Sequence, residues 1–244
     1  MLELPHQSKA IRRVFHPKHF RISFALNRGF NSGLQEDMLN VIQSAGLPLP
    51  QDSWHTAIGF EFLDFAWRFN NRWIIGGGLM INRDALVLHS YDNENYNYEE
   101  PGVQHYSYAL ALKDFRVYAE YAIWPVDWFP VRRTELLLGG GFIVSRPNTY
   151  FFCYYLNDAI TYDDGYVEAG NTYTIFGAQL RASFHVYVLQ NISLSLGMEG
   201  NLYQNLEIPS VDLLGSIPEI RDELPAHSLN YSTVRLKAGV HISF

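Results

Sequence analysis

The final sixteen residues, Leu229 to Phe244, read LNYSTVRLKAGVHISF. Within them Val234, Leu236, Ala238, Val240, Ile242 and Phe244 alternate with Thr233, Arg235, Lys237, Gly239, His241 and Ser243. Successive side chains leave opposite faces of a strand, so one face is wholly apolar and the other carries two cations and a histidine. Two environments accept such a strand. In a water-soluble sandwich the apolar face meets a core and the polar face meets water. In a membrane-spanning barrel the apolar face meets lipid and the polar face meets the lumen.

The same pattern recurs upstream. Phe20–Asn27, Trp54–Trp67, Trp73–Asn82, Tyr106–Trp124, Thr134–Arg146, Tyr173–Leu189 and Ile192–Leu206 each read as a strand, making eight with the last. In the second, Phe65 and Trp67 stay on the apolar side only if a bulge falls near Leu63–Asp64. In the fourth, the apolar positions change phase from Tyr108, Leu110 and Leu112 to Val117, Ala119, Tyr121 and Ile123. That predicts a register shift near Lys113–Asp114. Glycine triplets at Gly76–Gly78 and Gly139–Gly141 weaken a strand but suit curvature or close side-chain approach.

The expected connections alternate long and short. Phe69–Arg72, Pro125–Arg133 and Gln190–Asn191 are short. The long ones are the stretch holding a predicted helix at Gly33–Gly46, residues 83–105, Pro147–Thr172 and the Pro-bearing stretch before the last strand. Short turns at one end and long loops at the other suit a chain threaded up and down through a bilayer. The fold class expected is therefore all-β: an eight-stranded antiparallel up-and-down transmembrane β-barrel. Its domain would span residues 20–244, after a basic, His-containing tail over residues 1–19.

The totals agree. The chain has 244 residues, 48% of them hydrophobic and 15% aromatic. No apolar run approaches the roughly 18 residues of a membrane-spanning helix, so a membrane crossing would require a closed barrel. A net charge of −7 argues against nucleic acid as a partner. The single cysteine, Cys153, excludes an internal disulfide and a Cys-based zinc site. No metal or other cofactor is expected. Asp92-Asn93-Glu94 and Asp163-Asp164-Gly165 lack the spacing of a calcium loop. The first twenty residues, MLELPHQSKAIRRVFHPKHF, contain no apolar h-region, so an outer-membrane location requires a leader removed ahead of them.

Charge on the inward faces favours lipid outside. Arg21, Arg68, Arg116, Arg181, Arg235 and Lys237 oppose Glu61, Asp64, Glu120, Glu135 and Glu199, a set that can pair across a narrow lumen. A soluble ligand-binding barrel would have an apolar interior instead. Aromatics gather at the short-turn end: Trp67, Phe69, Trp73, Tyr121, Trp124, Trp128, Phe129 and Phe244. Of these, Trp67, Trp73, Tyr121, Trp124, Trp128 and Phe244 are expected at the membrane–water boundary. Tyr150, Phe151, Phe152, Tyr154 and Tyr155 would be rim anchors or a sticky binding surface.

With these residues in place, the chain resembles the small eight-stranded bacterial outer-membrane barrels, of the OmpA transmembrane-domain and OmpX type. The spacing of Leu236, Val240, Ile242 and terminal Phe244 is similar to the C-terminal signal that the barrel-assembly machinery reads in that family. The resemblance implies a bacterial outer membrane, with its lipid and lipopolysaccharide, as the setting. It implies a structural or loop-mediated role: adhesion, surface protection or association with an envelope protein. Accessory membership of a secretion or uptake complex is one alternative, and a lipid-modifying enzyme is another. No catalytic residue is expected. Ser183 and His185 share a face, with Glu199 on the next strand, but i and i+2 positions lie roughly 7 Å apart along a strand. That spacing predicts no nucleophile–base hydrogen bond.

Overall fold

The computed structural model describes residues 19–30, 32–44, 52–70, 72–89, 102–124, 134–157, 161–169, 174–189, 191–212 and 223–244. Eight strands close on themselves: β1 (Phe20–Phe30), β2 (Asp52–Arg68), β3 (Trp73–His89), β4 (Gly102–Trp124), β5 (Thr134–Asn157), β7 (Ile175–Tyr187), β8 (Ile192–Tyr203) and β13 (Thr233–Ser243). Each pairs antiparallel with its neighbour, in the order β4-β3-β2-β1-β13-β8-β7-β5, and β4 pairs with β5 to complete the ring. First and last strands are zipped together by Phe244 N–H donating to Phe20 O at 3.0 Å and Phe20 N–H to Phe244 O at 3.2 Å. Closure leaves no edge in the hydrocarbon region, which is what lets a sheet cross lipid.

The pleat sorts the side chains. Along β13, Thr233, Arg235, Lys237, His241 and Ser243 are buried, while Val234, Leu236, Val240 and Ile242, and Phe244 just after the strand, are exposed. Large apolar side chains face outward all round: Phe24 and Leu26 on β1, Phe142 on β5, Leu180 on β7, Leu196 on β8. A core-forming sandwich would bury them; only a lipid solvent makes this inversion favourable. Among the described residues no helix is long and apolar enough to span a membrane.

A bulge between Phe62 and Phe65 shifts the β2–β3 register, and Leu63 takes a left-handed φ of 54° there. The extra residue turns Asp64 inward and keeps Phe65 and Trp67 on the outer wall. The turn after β2 is fixed by Asn70, whose Oδ1 accepts from the N–H groups of Arg72 at 2.8 Å and Trp73 at 2.7 Å.

The phase change expected in β4 is absent. Lys113 faces Arg146 and Asp114 faces Ser145 in unbroken register. Leu110 and Leu112 simply point inward with Asp114, Arg116, Tyr118 and Glu120, because the barrel interior itself turns apolar toward one end. Strands also run beyond their expected limits. β3 reaches His89, β4 starts at Gly102, and β5 continues to Asn157, where it pairs with β6 (Thr161–Ala169). The stretch expected as the loop 147–172 is therefore largely a hairpin. β5 changes partner from β7 to β6 between Ser145 and Thr149, so β2, β3, β4, β5 and β6 rise as one sheet past the closed ring.

That end is the mouth. There α1 (Ser32–Ser44) joins β1 to β2. Four short strands lie between β8 and β13: β9 (Leu206–Ile208) pairs with β12 (His227–Leu229), and β10 (Val211–Asp212) with β11 (Glu223–Leu224). α1 packs against β12, with Leu34, Met38 and Val41 buried on one face, and Asn230 N–H donates to Asp37 Oδ2 at 2.9 Å. Residues 1–18, Trp128, Phe129 and Asp92-Asn93-Glu94 lie outside the described residues, as do the side chains of Trp124, Tyr150–Tyr155, Asp163 and Asp164.

Candidate functional site: the filled lumen

Among the described residues six cations and six acids are buried on the inward faces: Arg21, Arg68, Arg116, Arg181, Arg235 and Lys237 against Glu61, Asp64, Asp114, Glu120, Glu135 and Glu199. At the centre Arg116, fully buried, pairs with Glu61 on one side and with Glu199 Oε1 at 3.0 Å on the other. Lys237 also pairs with Glu61 and approaches Glu199 at 3.8 Å. Two acids thus share two cations, which offsets the desolvation of all four.

Toward the turn end Glu120 accepts from Arg21 at 3.0 Å and pairs with Arg181 Nε at 3.0 Å. Arg181 lies over the Tyr118 ring, 3.9 Å from its centroid, and the Tyr118 hydroxyl donates to Asp64 at 2.7 Å. The glycine triplets make this stack possible. A Cβ at Gly76 would fall on the hydroxyl end of Tyr118, and one at Gly141 would meet the Tyr118 Cβ at 2.8 Å. Nearest the turns, Arg68 Nη2 donates to both oxygens of Glu135 at 2.7 Å, and Tyr187 donates to the same carboxylate at 2.9 Å. Ala66, Ile74, Ala122 and Leu137 form a small apolar floor beside them.

Asp114, absent from the charge set read in the sequence, ties the network to the mouth. It accepts from Asn82 at 2.8 Å and from the Tyr203 hydroxyl at 2.8 Å, and Tyr203 meets Tyr231 edge-on at 5.4 Å. Arg235 donates to Asn27 Oδ1 at 3.0 Å. The supposed phase change hid Asp114; uninterrupted alternation from Glu120 back through Arg116 was the signal that finds it.

Ser183 and His185 contradict the spacing argument. Ser183 Oγ lies 3.0 Å from His185 Nε2, because the imidazole reaches along the strand. His185 lies against His241 with centroids 4.5 Å apart and the rings tilted by 39°, and His241 is held by Ser23 at 2.7 Å and Ser195 at 2.6 Å. A cavity of about 10 Å³ adjoins this group, room for one water and for no lipid or peptide substrate. Glu199 is engaged with Arg116. A second cavity of about 10 Å³ lies by Arg68 and Tyr187. Among the described residues no three His, Cys, Asp or Glu side chains are grouped to hold a metal ion.

Outside, at the turn end, Trp67, Trp73 and Phe244 are exposed. Trp73 meets Tyr121 edge-on at 4.9 Å, Arg72 donates to the Tyr121 hydroxyl at 2.6 Å, and Phe20 stacks on Phe244 at 6.4 Å. Leu236, Val240 and Ile242 share the outward face with Phe244.

The chain closes as an eight-stranded antiparallel up-and-down barrel with an apolar outer wall. It is similar to the crystal structure of Neisserial surface protein A, with a TM-score of 0.45 and 12% identity over 92% of this chain and 97% of that one. It is also similar to Ail, the attachment invasion locus protein of Yersinia pestis, solved with the heparin analogue sucrose octasulfate (TM-score 0.34, 10% identity, 92% and 97% covered). The outer-membrane protease OmpT of Escherichia coli matches at a TM-score of 0.29 and 11% identity, over 94% and 98% of the two chains. No protein-family model matches the chain, and no curated protein does. The likeness is one of architecture and assigns no role to any residue.

Proposed function

We propose that this protein is a resident of the bacterial outer membrane that conducts nothing through its lumen and works through the structures at its mouth. The observation that carries the reading is the central Arg116–Glu61–Lys237–Glu199 cluster, which occupies the middle of a ring only eight strands wide. The sheet of β2 to β6 that rises past the ring, with α1 and the β9–β12 hairpin beside it, is the part available to a partner. Adhesion, surface protection and association with an envelope protein all use such a platform, and accessory membership of a secretion or uptake complex would use it too. Trp67, Trp73, Tyr121 and Phe244 would anchor the turn end in the membrane interface, and Leu236, Val240, Ile242 and Phe244 would be read by the barrel-assembly machinery. The role is non-enzymatic: the Ser183–His185 pair, the arrangement among the described residues that would favour a lipid-modifying enzyme, opens on a space of about 10 Å³.

The test pairs electrophoresis with conductance. Protein extracted from an outer-membrane fraction should migrate at different apparent masses in SDS before and after boiling, and should give no steady conductance in a planar bilayer. Detergent-free solubility with no heat shift would overturn the membrane reading. Stable open channels would overturn the sealed lumen.

A further inference from the structure

On the eight barrel strands the carboxylates whose side chains are described, Glu61, Asp64, Asp114, Glu120, Glu135 and Glu199, are all buried inward. Four cations do the opposite. Arg28 on β1, Arg83 on β3, Lys113 on β4 and Arg146 on β5 are exposed on the outer wall. All four lie toward the mouth and on one flank; the outward positions of β7, β8 and β13 carry no charge.

Register gathers three of them. Lys113 sits directly opposite Arg146. Arg83 sits opposite Ala111, two residues from Lys113 on the same face. Arg28 joins the row across Ile58, which is opposite both Arg28 and Arg83. Adjacent strands are about 4.8 Å apart and two residues rise about 7 Å along a strand, so Arg83, Lys113 and Arg146 start from backbone positions spanning roughly 12 Å. Like charges opposed on one sheet face repel. Among the described residues none of the three has an ion-pair partner, although Arg21, Arg68, Arg116, Arg181 and Lys237 in the lumen all pair with acids. Immediately toward the turn end the same strands present Ile81, Phe115 and Val144 to lipid.

A single cation at the edge of an apolar belt is accounted for by snorkelling to the interface. Three on adjacent strands, two of them in direct opposition and without a counter-charge, are accounted for by an anion that bridges them. We propose that Arg83, Lys113 and Arg146 form a site on the outer wall for the phosphate groups of an outer-leaflet lipid headgroup, whose acyl chains lie on the apolar belt beside Phe115 and Val144. Arginine and lysine together suit phosphate, the one by forked donors and the other as a point charge. The proposal rests on the barrel spanning a membrane with its mouth outward.

The test uses the full chain in zwitterionic detergent, followed by native mass spectrometry with purified diphosphoryl lipid A, its dephosphorylated form and inorganic phosphate. The wild type should retain the diphosphorylated lipid and release the dephosphorylated one. Combining Arg83→Gln, Lys113→Gln and Arg146→Gln should weaken retention by roughly tenfold or more, while Arg72→Gln at the turn end should leave it unchanged. If the triple variant does not fold, Lys113→Gln alone should still give a loss of a few-fold, because it removes one member of the opposed pair. Wild-type retention in a folded variant would overturn the site. So would equal retention of the dephosphorylated lipid, or displacement of the lipid by inorganic phosphate alone. The barrel reading fails separately, by loss of the heat-dependent shift in the wild type.

Discussion

The two ends of the lumen solve the same packing problem with opposite chemistry. From Asp114 toward the turns the interior is ionic: Arg116, Glu61, Glu199, Lys237, Arg21, Glu120, Arg68 and Glu135 are all buried and paired. Toward the mouth the inward positions of β4 become Leu112 and Leu110, and the buried neighbours there are Leu206, Leu229, Tyr231 and the α1 residues Leu34 and Met38. The ionic half sits behind an apolar outer wall, so only its inward face is free to carry polarity. Toward the mouth the outer wall carries Arg28, Arg83, Lys113 and Arg146, and there apolar residues fill the inside as in a soluble protein. One half cannot lose a charge cheaply, and the other should come loose locally when an apolar contact is lost.

Arg116 tests the first statement most severely. Arg116→Leu leaves Glu61 and Glu199 facing each other with Lys237 alone between them, and breaking a buried pair in this way costs about 3–5 kcal/mol. The fast-migrating unboiled band should then disappear at a clearly lower urea concentration. An unchanged midpoint would mean that the network does not stabilise the barrel.

The mouth should respond differently. Leu34 is 1% exposed, and Leu34→Ala should cost about 2–5 kcal/mol locally. Because α1 hangs on the ring and is not part of it, the loss should appear as faster amide exchange in α1 and β12, with the urea midpoint of the barrel unmoved. Global destabilisation would show that the mouth and the ionic half unfold as one unit.

Gly76→Ala sharpens the comparison inside the ionic half. The added methyl meets the hydroxyl end of Tyr118, which sits between Asp64 and Arg181. Overpacking of this kind costs about 1–3 kcal/mol. Gly200→Ala, where a Cβ meets nothing within 4 Å, should be close to neutral in the same urea assay, and a similar loss in both would remove the steric explanation.

The difference between the halves also decides what could be read from sequence. β7, β8 and β13 were legible because each keeps one polar and one apolar face along its whole length. β2 was legible despite its bulge, since Phe65 and Trp67 demanded one. β4 was misread at Leu112 because its inward face changes from ionic to apolar while the backbone continues without a break; the polarity cue inverts and mimics a register slip. Strand ends such as His89 and Asn157 were illegible because alternation weakens once lipid no longer imposes a contrast between faces. The Ser183–His185 hydrogen bond was missed because a Cα spacing was taken for a side-chain spacing.

The smallest expected effect is a pH dependence confined to the mouth. His227 is half-buried in β12, with its Nδ1 2.8 Å from the Pro225 carbonyl oxygen. Burial holds its imidazole below the usual histidine range, against the opposite pull of the Pro225 carbonyl and Glu207. The paired hairpin therefore prefers the neutral ring, while a detached hairpin takes up a proton near pH 6.5. Stability is present above that pH and falls as acidification lets the detached state bind the proton first. With the ring partly solvated, the effect should stay below about 1 kcal/mol. Amide exchange over β9 and β12, corrected for intrinsic rates, should be faster at about pH 5 than at about pH 8, and His227→Gln should abolish the difference. Equal protection at the two pH values would remove the His227 switch, and a pH effect that survives His227→Gln would place the acid response on another group than this imidazole.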